Sequence, residues 1–292
     1  MLKTKNLKKI FLILALLIVL GLAVFYLLRV HQRSLLVVGI EKDDAALIAK
    51  AFSWGFPKNA VAEPGVPALS KAVLLGHARA ARALVEQGVN LQAKLTEKVP
   101  SGSEDGAPVI PVGTSPLGVA AFVCYQPGTP ETARLLLENG ASPDERADNA
   151  SLAEIVADVA ARHPQQPYCW EMLESLLEAG LNVNSTEGEE MFMDAMSGSP
   201  LWVRLVSAHI PAEKIETLIS RPGVDLNAQS KAGITALMQA AVLNRADIAE
   251  ILLKSGADPN VKAPQGFTAL EISKQLKHPK IEKLLRAHGA VK

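Results

Sequence analysis

The chain has 292 residues, with 30 basic and 30 acidic side chains, so its formal net charge is zero. A zero net charge argues against a nucleic-acid-binding protein, which needs a basic surface to neutralise phosphates. Aromatic residues make up only 4% of the sequence, and this scarcity favours helix packing through small residues over a sheet-rich or sugar-binding protein.

The first predicted element is a membrane-spanning helix over residues 10–28, which contain no charged side chain. At about 1.5 Å per residue the segment spans roughly 28 Å, close to the hydrocarbon thickness of a bilayer. Residues 1–9 are basic, and residues 29–34 predict a short linker. The positive-inside rule then keeps residues 1–9 in the cytoplasm and sends the rest across a bacterial inner membrane into the periplasm.

Other interpretations of this segment are less well supported. A cleaved signal peptide needs a small-residue cleavage site, which "AVFYLLRVHQR" lacks, and a lipoprotein needs a cysteine after the apolar stretch, where none occurs. A buried core helix, or the opposite topology with the rest of the chain in the cytoplasm, remains an alternative. The sequence therefore predicts an uncleaved signal anchor.

From residue 35 onward, a glycine that ends an apolar helical pattern recurs along the chain. The earlier copies are followed four residues later by Asn or a similar residue, and three of the six intervals are 33 residues. Such a glycine suits a left-handed helix C-cap, because it lacks the Cβ atom that makes a positive φ costly. The copies are Gly55, Gly88, Gly140, Gly180, Gly223, Gly256 and Gly289.

Each glycine is preceded by an amphipathic helical pattern, as in "ETARLLLENG" and "DIAEILLKSG". A shorter helix precedes that one, opened by "TALMQAA", "SPLGVAA" or a similar stretch in which Thr or Ser can cap the helix. Two antiparallel helices repeated every 33 residues resemble the ankyrin repeat and its T-P-L-H-x-A pattern. The resemblance implies an all-α helical solenoid over residues 35–292. Its seven units cover residues 35–59, 60–92, 93–144, 145–184, 185–227, 228–260 and 261–292.

The middle units depart from the family pattern through insertions. These lie at residues 93–113, in "CYQPGT", in "RHPQQPYCW", in "STEGEEMFMDAM" and around "HIPAE". Long loops on a rigid scaffold commonly carry binding specificity, although neutral surface insertions cost little and are the alternative. The histidine of the family pattern is also replaced, by Ser70, Gly118, Met238 and Glu271.

The two cysteines, Cys124 and Cys169, fall in insertions that we place between the two helices of adjacent units. Neighbouring units stack side by side in a solenoid, so the insertions should lie close together. We predict a disulfide between them, which the oxidising side of a membrane would permit. Two unrelated small residues are the alternative.

The resemblance implies that the hairpin tips and the exposed positions of the shorter helices form the binding surface. In the last two units these positions are Lys231, Ile234, Val242, Leu243, Gln265 and Phe267. The acidic and apolar loop "STEGEEMFMD" adds four candidates, since carboxylates speed the encounter with a basic partner and apolar residues can bury into it. They are Glu187, Glu189, Glu190 and Phe192. A solvated loop tucked against its own unit is the alternative.

The sequence offers no recognised catalytic chemistry. The six histidines are scattered without metal-ligand spacing, and neither a Walker loop nor a dinucleotide fingerprint is present. In "GTSPLG" the second glycine lies too far from Ser115 for a nucleophile elbow. We therefore expect a protein that is not an enzyme and that binds no cofactor, no metal and no small-molecule substrate.

The expected function is protein binding at the periplasmic face of the membrane. The layout is similar to that of immunity proteins that neutralise secreted antibacterial toxins, including lipase effectors of type VI secretion. This is an analogy of layout, since a fold alone does not give a function. The alternative is an envelope scaffold or stress-related ankyrin protein that organises other periplasmic proteins.

Overall fold

The structure is a computed structural model that describes residues 2–53, 55–102, 109–147, 149–163, 165–186, 199–207 and 210–291, with side chains from residue 16 onward. The helices in these ranges are α1 (Leu2–Glu41), α2 (Ala45–Phe52), α3 (Ala68–Leu74), α4 (Ala78–Glu86), α5 (Pro116–Phe122), α6 (Thr129–Glu138), α7 (Leu152–Arg162), α8 (Tyr168–Glu178), α9 (Leu201–Ser207), α10 (Ala212–Ile219), α11 (Ala236–Val242), α12 (Ala246–Lys254), α13 (Ala269–Gln275) and α14 (Pro279–Ala287). Three short antiparallel strand pairs also form, β1 (Val61–Glu63) with β2 (Val66–Pro67), β3 (Val99–Pro100) with β4 (Val109–Ile110), and β5 (Arg146–Ala147) with β6 (Ala150–Ser151).

The helices pair into units that stack in two layers. The inner layer is formed by the end of α1 followed by α3, α5, α7, α9, α11 and α13, each in contact with the next. The outer layer contains α2, α4, α6 and α8, and then α10, α12 and α14. The predicted helical solenoid of seven helix pairs behind one long N-terminal apolar helix is therefore confirmed within the described part of the chain.

The glycines that mark the period end the outer helices as predicted. All seven have a positive φ, from 69° at Gly88 to 98° at Gly256. An L-residue in this conformation would place its Cβ against the following carbonyl, which explains why glycine recurs at this position.

The inner helices begin at the predicted Ser and Thr caps. The hydroxyl of Thr235 accepts a hydrogen bond from the Met238 backbone N–H at 3.2 Å, and Ser115 accepts one from Gly118 at 3.1 Å. At Thr268 the hydroxyl accepts from the Glu271 N–H, and the Thr268 N–H donates to the Glu271 carboxylate, which completes a capping box. A glutamate in place of the family histidine thus has a local structural reason.

Neighbouring units from unit 4 onward are joined by a ladder of hydrogen bonds that involve the Asn four residues after Gly180, Gly223 and Gly256. The side-chain oxygen of Asn227 accepts from the Asp258 N–H at 2.8 Å, and that of Asn260 accepts from the Val291 N–H at 2.9 Å. Asn184 donates to the Gly223 carbonyl at 3.2 Å. The four-residue spacing between glycine and Asn therefore sets the register of neighbouring units from unit 4 to unit 7. We call this side of the stack, which carries the glycine caps and the hairpins, the hairpin edge.

The opposite side, here called the turn edge, contains the turns between the two helices of each unit. Nδ1 of His278 lies 2.9 Å from the Ala241 carbonyl of the preceding unit, and Nδ1 of His77 lies 2.7 Å from the Ile40 carbonyl. Since a carbonyl only accepts, the ring nitrogen donates in both bonds. Units are thus joined by hydrogen bonds at both edges of the stack.

Helix α1 is continuous from the apolar segment into the first unit. Residues 29–34, predicted to form a linker, lie inside the helix, since no Gly or Pro interrupts residues 22–38. Gln32, Leu36 and Ile40 recur at four-residue spacing and are all buried, as expected for one face of a packed helix. Over Leu16–Glu41 the helix is long and apolar enough to cross a membrane by length and composition. Residues 29–34 therefore form no separate linker, because the helix that contains the apolar segment continues without a break into the repeat stack.

Candidate protein-binding surface

The exposed large apolar residues of the described repeat domain concentrate on two kinds of element. Outside α1 there are nine of them, and eight lie in hairpin segments or at the ends of inner helices. They are Val61, Val109, Val112 and Phe267 in hairpin segments, Leu75, Val242, Leu243 and Leu276 at the ends of inner helices, and Val291 elsewhere. Clustered exposed apolar surface commonly marks a contact site.

The predicted binding residues of the last two units fall mainly on this surface. Val242 and Leu243, at the end of α11, are 42% and 37% exposed, and Phe267 is 40% exposed. Lys231 and Gln265 are exposed in the hairpins of the same units. Five predicted residues are thus exposed, on the hairpins of units 6 and 7 and at the end of α11.

The remaining candidates differ in position. Ile234 is half-buried, and its backbone N–H donates to the Ser230 hydroxyl at 3.1 Å, which closes the hairpin turn. Its side chain contributes less to the surface than the sequence suggests. The four loop candidates lie outside the described residues, and they are Glu187, Glu189, Glu190 and Phe192.

Some charged residues of the last two units form ion pairs or cap a helix, whereas others do neither. Asp247 pairs with Arg245 at 2.8 Å, and the hydrogen bond from Arg245 is the main reason that the pKa of Asp247 lies below its ordinary value. Glu250 pairs with Lys254, which lowers the pKa of Glu250. Glu271 caps a helix. Among the described residues, Lys274 and Lys277 beside Leu276 form no such pair, which leaves positive charge next to the apolar residues.

Insertions of units 3 and 4 meet in a group that we call the insertion cluster: Ser101, Cys124, Tyr125, His163 and Cys169. The structure joins Cys124 and Cys169 by a disulfide, with Cα atoms 4.6 Å apart. The Tyr125 and His163 rings stack with centroids 4.2 Å apart, and the Tyr125 hydroxyl donates to the Ser101 carbonyl at 2.8 Å. Three separate insertions are thereby fixed to one another.

The position of one cysteine differs from the expectation. Cys169 lies in the first turn of α8 and is fully buried, whereas the sequence placed it in the turn before that helix. The helix begins at Tyr168, directly after Pro167, because proline is tolerated at a helix start but not in its interior. The cysteine is therefore part of the core of unit 4.

Arg204 and Glu154 form a buried ion pair that sequence reasoning missed. Nε of Arg204 lies 2.5 Å from Oε1 of Glu154, and the side chains are 1% and 2% exposed. The other carboxylate oxygen accepts from the backbone and hydroxyl of Ser151, so Glu154 also caps α7. This pair connects units 4 and 5 through their cores.

The same guanidinium holds both ends of the unit-5 insertion. Nη1 of Arg204 donates to the carbonyls of Ser185 and Ser199, which flank residues 187–198. A signal was present in the sequence, since Arg204 occupies the position of Ala240 in the regular unit 6. A charged residue at a small, buried repeat position indicates a buried partner.

Comparisons with known proteins agree with this architecture. Residues 204–292 match the family model described as ankyrin repeats (3 copies). The human ASB11 ankyrin repeat domain is similar in structure with a TM-score of 0.59 and 19% identity, over 88% of this chain and 98% of that one. The ankyrin repeat domain of Bcl-3, a member of the IkappaB protein family, gives a TM-score of 0.62 at 19% identity, over 86% and 97%. No curated protein matches the sequence.

The chain therefore contains ankyrin repeats, and its described residues have the fold of ankyrin-repeat domains. The family match begins at Arg204 within unit 5, after the loop of residues 187–198, and it includes the regular units 6 and 7. In this fold the hairpins and inner helices line one side of the stack, which is the side that carries the exposed apolar residues. Ankyrin repeats are typically protein-binding modules without catalytic activity, and this surface is suited to a protein partner.

Proposed function

We propose that this chain is a non-catalytic protein-binding module, held by α1 in a bacterial inner membrane with its repeat domain in the periplasm. The observation that carries the proposal is the concentration of exposed apolar side chains on hairpins and inner helices. When a partner covers these side chains, they would form the apolar centre that protein interfaces require. Lys274 and Lys277 at its border favour a partner with acidic residues.

Two features support the periplasmic location. Residues 1–9 carry Lys3, Lys5, Lys8 and Lys9 ahead of the apolar segment, which favours a cytoplasmic N-terminus. The Cys124–Cys169 disulfide joins two buried cysteines, and disulfides persist in oxidising compartments such as the periplasm. Both observations point to the same side of the membrane.

We further propose that the partner is a secreted antibacterial toxin, such as a phospholipase or lipase effector, and that binding neutralises it. An immunity protein of this kind needs tight binding to one partner and no chemistry of its own. Units 3 to 5 support this proposal, because the insertion cluster joins described residues of three insertions, and Arg204 bonds to Ser185 and Ser199 on either side of residues 187–198. Insertions anchored in this way suit recognition of one partner, since an anchored segment loses less entropy on binding.

The decisive experiment is capture of partners by the full chain. We would solubilise the tagged protein in mild detergent, incubate it with extract of the host, and identify bound proteins by mass spectrometry. The matched variants are Leu243→Asp and Phe267→Asp on the apolar surface. The control is Val291→Asp, because Val291 is also apolar and is more exposed, at 65%, but lies outside the hairpins and the ends of the inner helices. We expect one stoichiometric toxin that the first two variants lose and the control retains.

Other results would overturn the proposal at different levels. Capture of several envelope enzymes at low occupancy would replace neutralisation by the scaffold function. Equal capture by all three variants would place the interface elsewhere. A C-terminal alkaline phosphatase fusion that is inactive, while a cytoplasm-only fluorescent reporter at the same position is bright, would reverse the topology.

A further inference from the structure

Helix α1 is fastened to the repeat stack at the hairpin edge. Nη1 of Arg29 donates to the Gly55 carbonyl at 3.0 Å, at the end of α2. The same guanidinium lies over the Phe25 ring at 4.9 Å and near the Phe56 ring at 5.8 Å, within reach of cation–π attraction. Arg29 is the first charged residue after the apolar segment, so the first glycine turn lies at the level where that segment ends.

The same helix is also fastened at the turn edge. The Ile40 carbonyl accepts from His77 at 2.7 Å, and the Asp43 carboxylate accepts from the Ala80 backbone N–H at 2.7 Å. Both donors belong to unit 2. With Leu36 and Ile40 buried against α2 and α3, the last three turns of α1 form the first inner helix of the stack and cannot swivel independently of it.

This attachment fixes the direction of the stack relative to α1. The inner helices lie side by side with the end of α1, and the units add sideways, across the helix axes. Residues 29–41 of α1 rise about 18 Å, which is more than the rise of about 10 Å in a seven-residue inner helix such as α3 or α13. If α1 crosses a bilayer, the units therefore extend along the membrane surface.

We infer that the hairpin edge of the repeat domain faces the bilayer, so that the partner is a protein lying at the membrane surface. The inference rests on the proposed membrane anchoring and deepens it. Val61 and Phe267, at the hairpin edge, then lie near the lipid headgroups. Leu75 and Leu276 lie at the opposite ends of the inner helices, farther from the membrane. Between them the apolar surface is open to a protein that approaches along the membrane.

The unit-3 hairpin is the exception to this layout. The Tyr125 hydroxyl at the turn edge donates to the Ser101 carbonyl in that hairpin at 2.8 Å. Ser101 therefore lies near the turn edge, on the side of the stack away from the membrane.

The test measures the height of single positions above the membrane in the full chain. Both native cysteines are in the disulfide, so one added cysteine can be labelled with a fluorophore. The pairs are Val61→Cys with Leu75→Cys in unit 2, and Phe267→Cys with Leu276→Cys in unit 7. The protein is reconstituted in phosphatidylethanolamine–phosphatidylglycerol vesicles that contain headgroup-nitroxide lipid, and quenching is recorded.

We expect quenching at least about twofold stronger at Val61 than at Leu75, and at Phe267 than at Leu276, because about 10 Å of helix rise separates each pair. Equal quenching within both pairs, or the reverse order, would overturn the orientation. A difference in unit 2 without one in unit 7 would also overturn it, since the stack would then rise from the surface. Release of the protein by alkaline carbonate would instead refute the anchoring itself.

Discussion

Neighbouring units are joined by different contacts in two regions of the molecule, the regular units 6 and 7 and the irregular units 3 to 5. In the regular units, small buried residues such as Ala240 and Ala241 let helices approach, and backbone-directed bonds from Asn227 and His278 join neighbours. In the irregular units a disulfide, a ring stack and a buried ion pair take over part of this work. The regular units are therefore joined by the same weak contacts at each interface, whereas the irregular units are joined by a few stronger contacts.

The difference shows where the molecule is vulnerable. A solenoid is stabilised by contacts between nearest neighbours, so a regular interface that loses one bond retains its other copies. The interface between units 4 and 5 places one guanidinium in its buried core, beside the packing of α7 on α9. Outside the core it has a Lys214–Glu174 pair and bonds from Arg221 to the Leu177 carbonyl and from Asn184 to the Gly223 carbonyl. Four predictions probe this contrast.

The largest expected effect follows from removing the buried cation. Arg204→Met should lower the free energy of unfolding by about 3–5 kcal/mol, because Glu154 is left charged and buried without its partner. Urea unfolding of the full chain in detergent, followed by circular dichroism, measures the loss. Arg286→Met is the control, since Arg286 pairs with Glu282 on the exposed surface and should cost about 0.5 kcal/mol. A loss below about 1 kcal/mol at Arg204 would contradict the buried pair.

The disulfide should rank next. Its cysteines are 45 residues apart, a loop for which the chain-entropy model gives up to about 4 kcal/mol, and measured effects are commonly about 2–4 kcal/mol. The double variant Cys124→Ala with Cys169→Ala should therefore unfold at lower urea concentration. The wild type under reducing conditions provides the comparison. An unchanged midpoint in both would mean that the Tyr125–His163 stack alone holds the insertions together.

A single rung of the Asn ladder should matter less. Asn227→Ala should cost about 1 kcal/mol, because the Asp258 N–H loses its acceptor. Asn227→Asp keeps an oxygen at the same position and should restore most of the stability. Thermal unfolding of the two variants separates the hydrogen bond from the change in side-chain volume. Identical losses would show that the bond does not register the units.

The smallest effect concerns pH. The hydrogen bond from Arg245 is the main reason that the folded-state pKa of Asp247 lies below its ordinary value of 3.8. The pair therefore stabilises the folded state fully at pH values above 3.8. This contribution is lost as the pH falls through the folded-state pKa. The stability gap between wild type and Asp247→Asn should be about 0.5 kcal/mol or less at neutral pH, since the carboxylate is half-exposed. It should close below about pH 4. In an Arg245→Met background the pH-dependent gap should become smaller, since only the backbone hydrogen bonds of Ile248 and Asp247 would still lower the pKa of Asp247.

Much of the fold could be predicted from the sequence because its signals are local. A glycine that needs positive φ, a Thr or Ser cap and an apolar stripe each depend on a few adjacent residues, and together they located the helix pairs. The path of α1 was less accessible. Residues 29–34 look like a linker in a polar flank, and only the burial of Gln32 and Leu36 against other helices reveals that the helix continues.

The candidate surface was predictable in part for the same reason. Val242, Leu243 and Phe267 follow from repeat register, which is local. The Arg204–Glu154 pair spans 50 residues and depends on how units 4 and 5 stack, so spacing within a unit does not reveal it. His163 likewise acquires its role only from the Tyr125 ring of another unit.

The Asn ladder has one more consequence, for how such a chain changes its length. Asn227 and Asn260 make equivalent bonds to the units that follow them, so the two ends of the segment 228–260 present matching surfaces. A tandem duplication of that segment would therefore join without a mismatched seam. The chain can therefore lengthen by duplication of whole units at its regular end. In units 3 to 5, side chains of one unit have their partners in another, so these units can be duplicated only together.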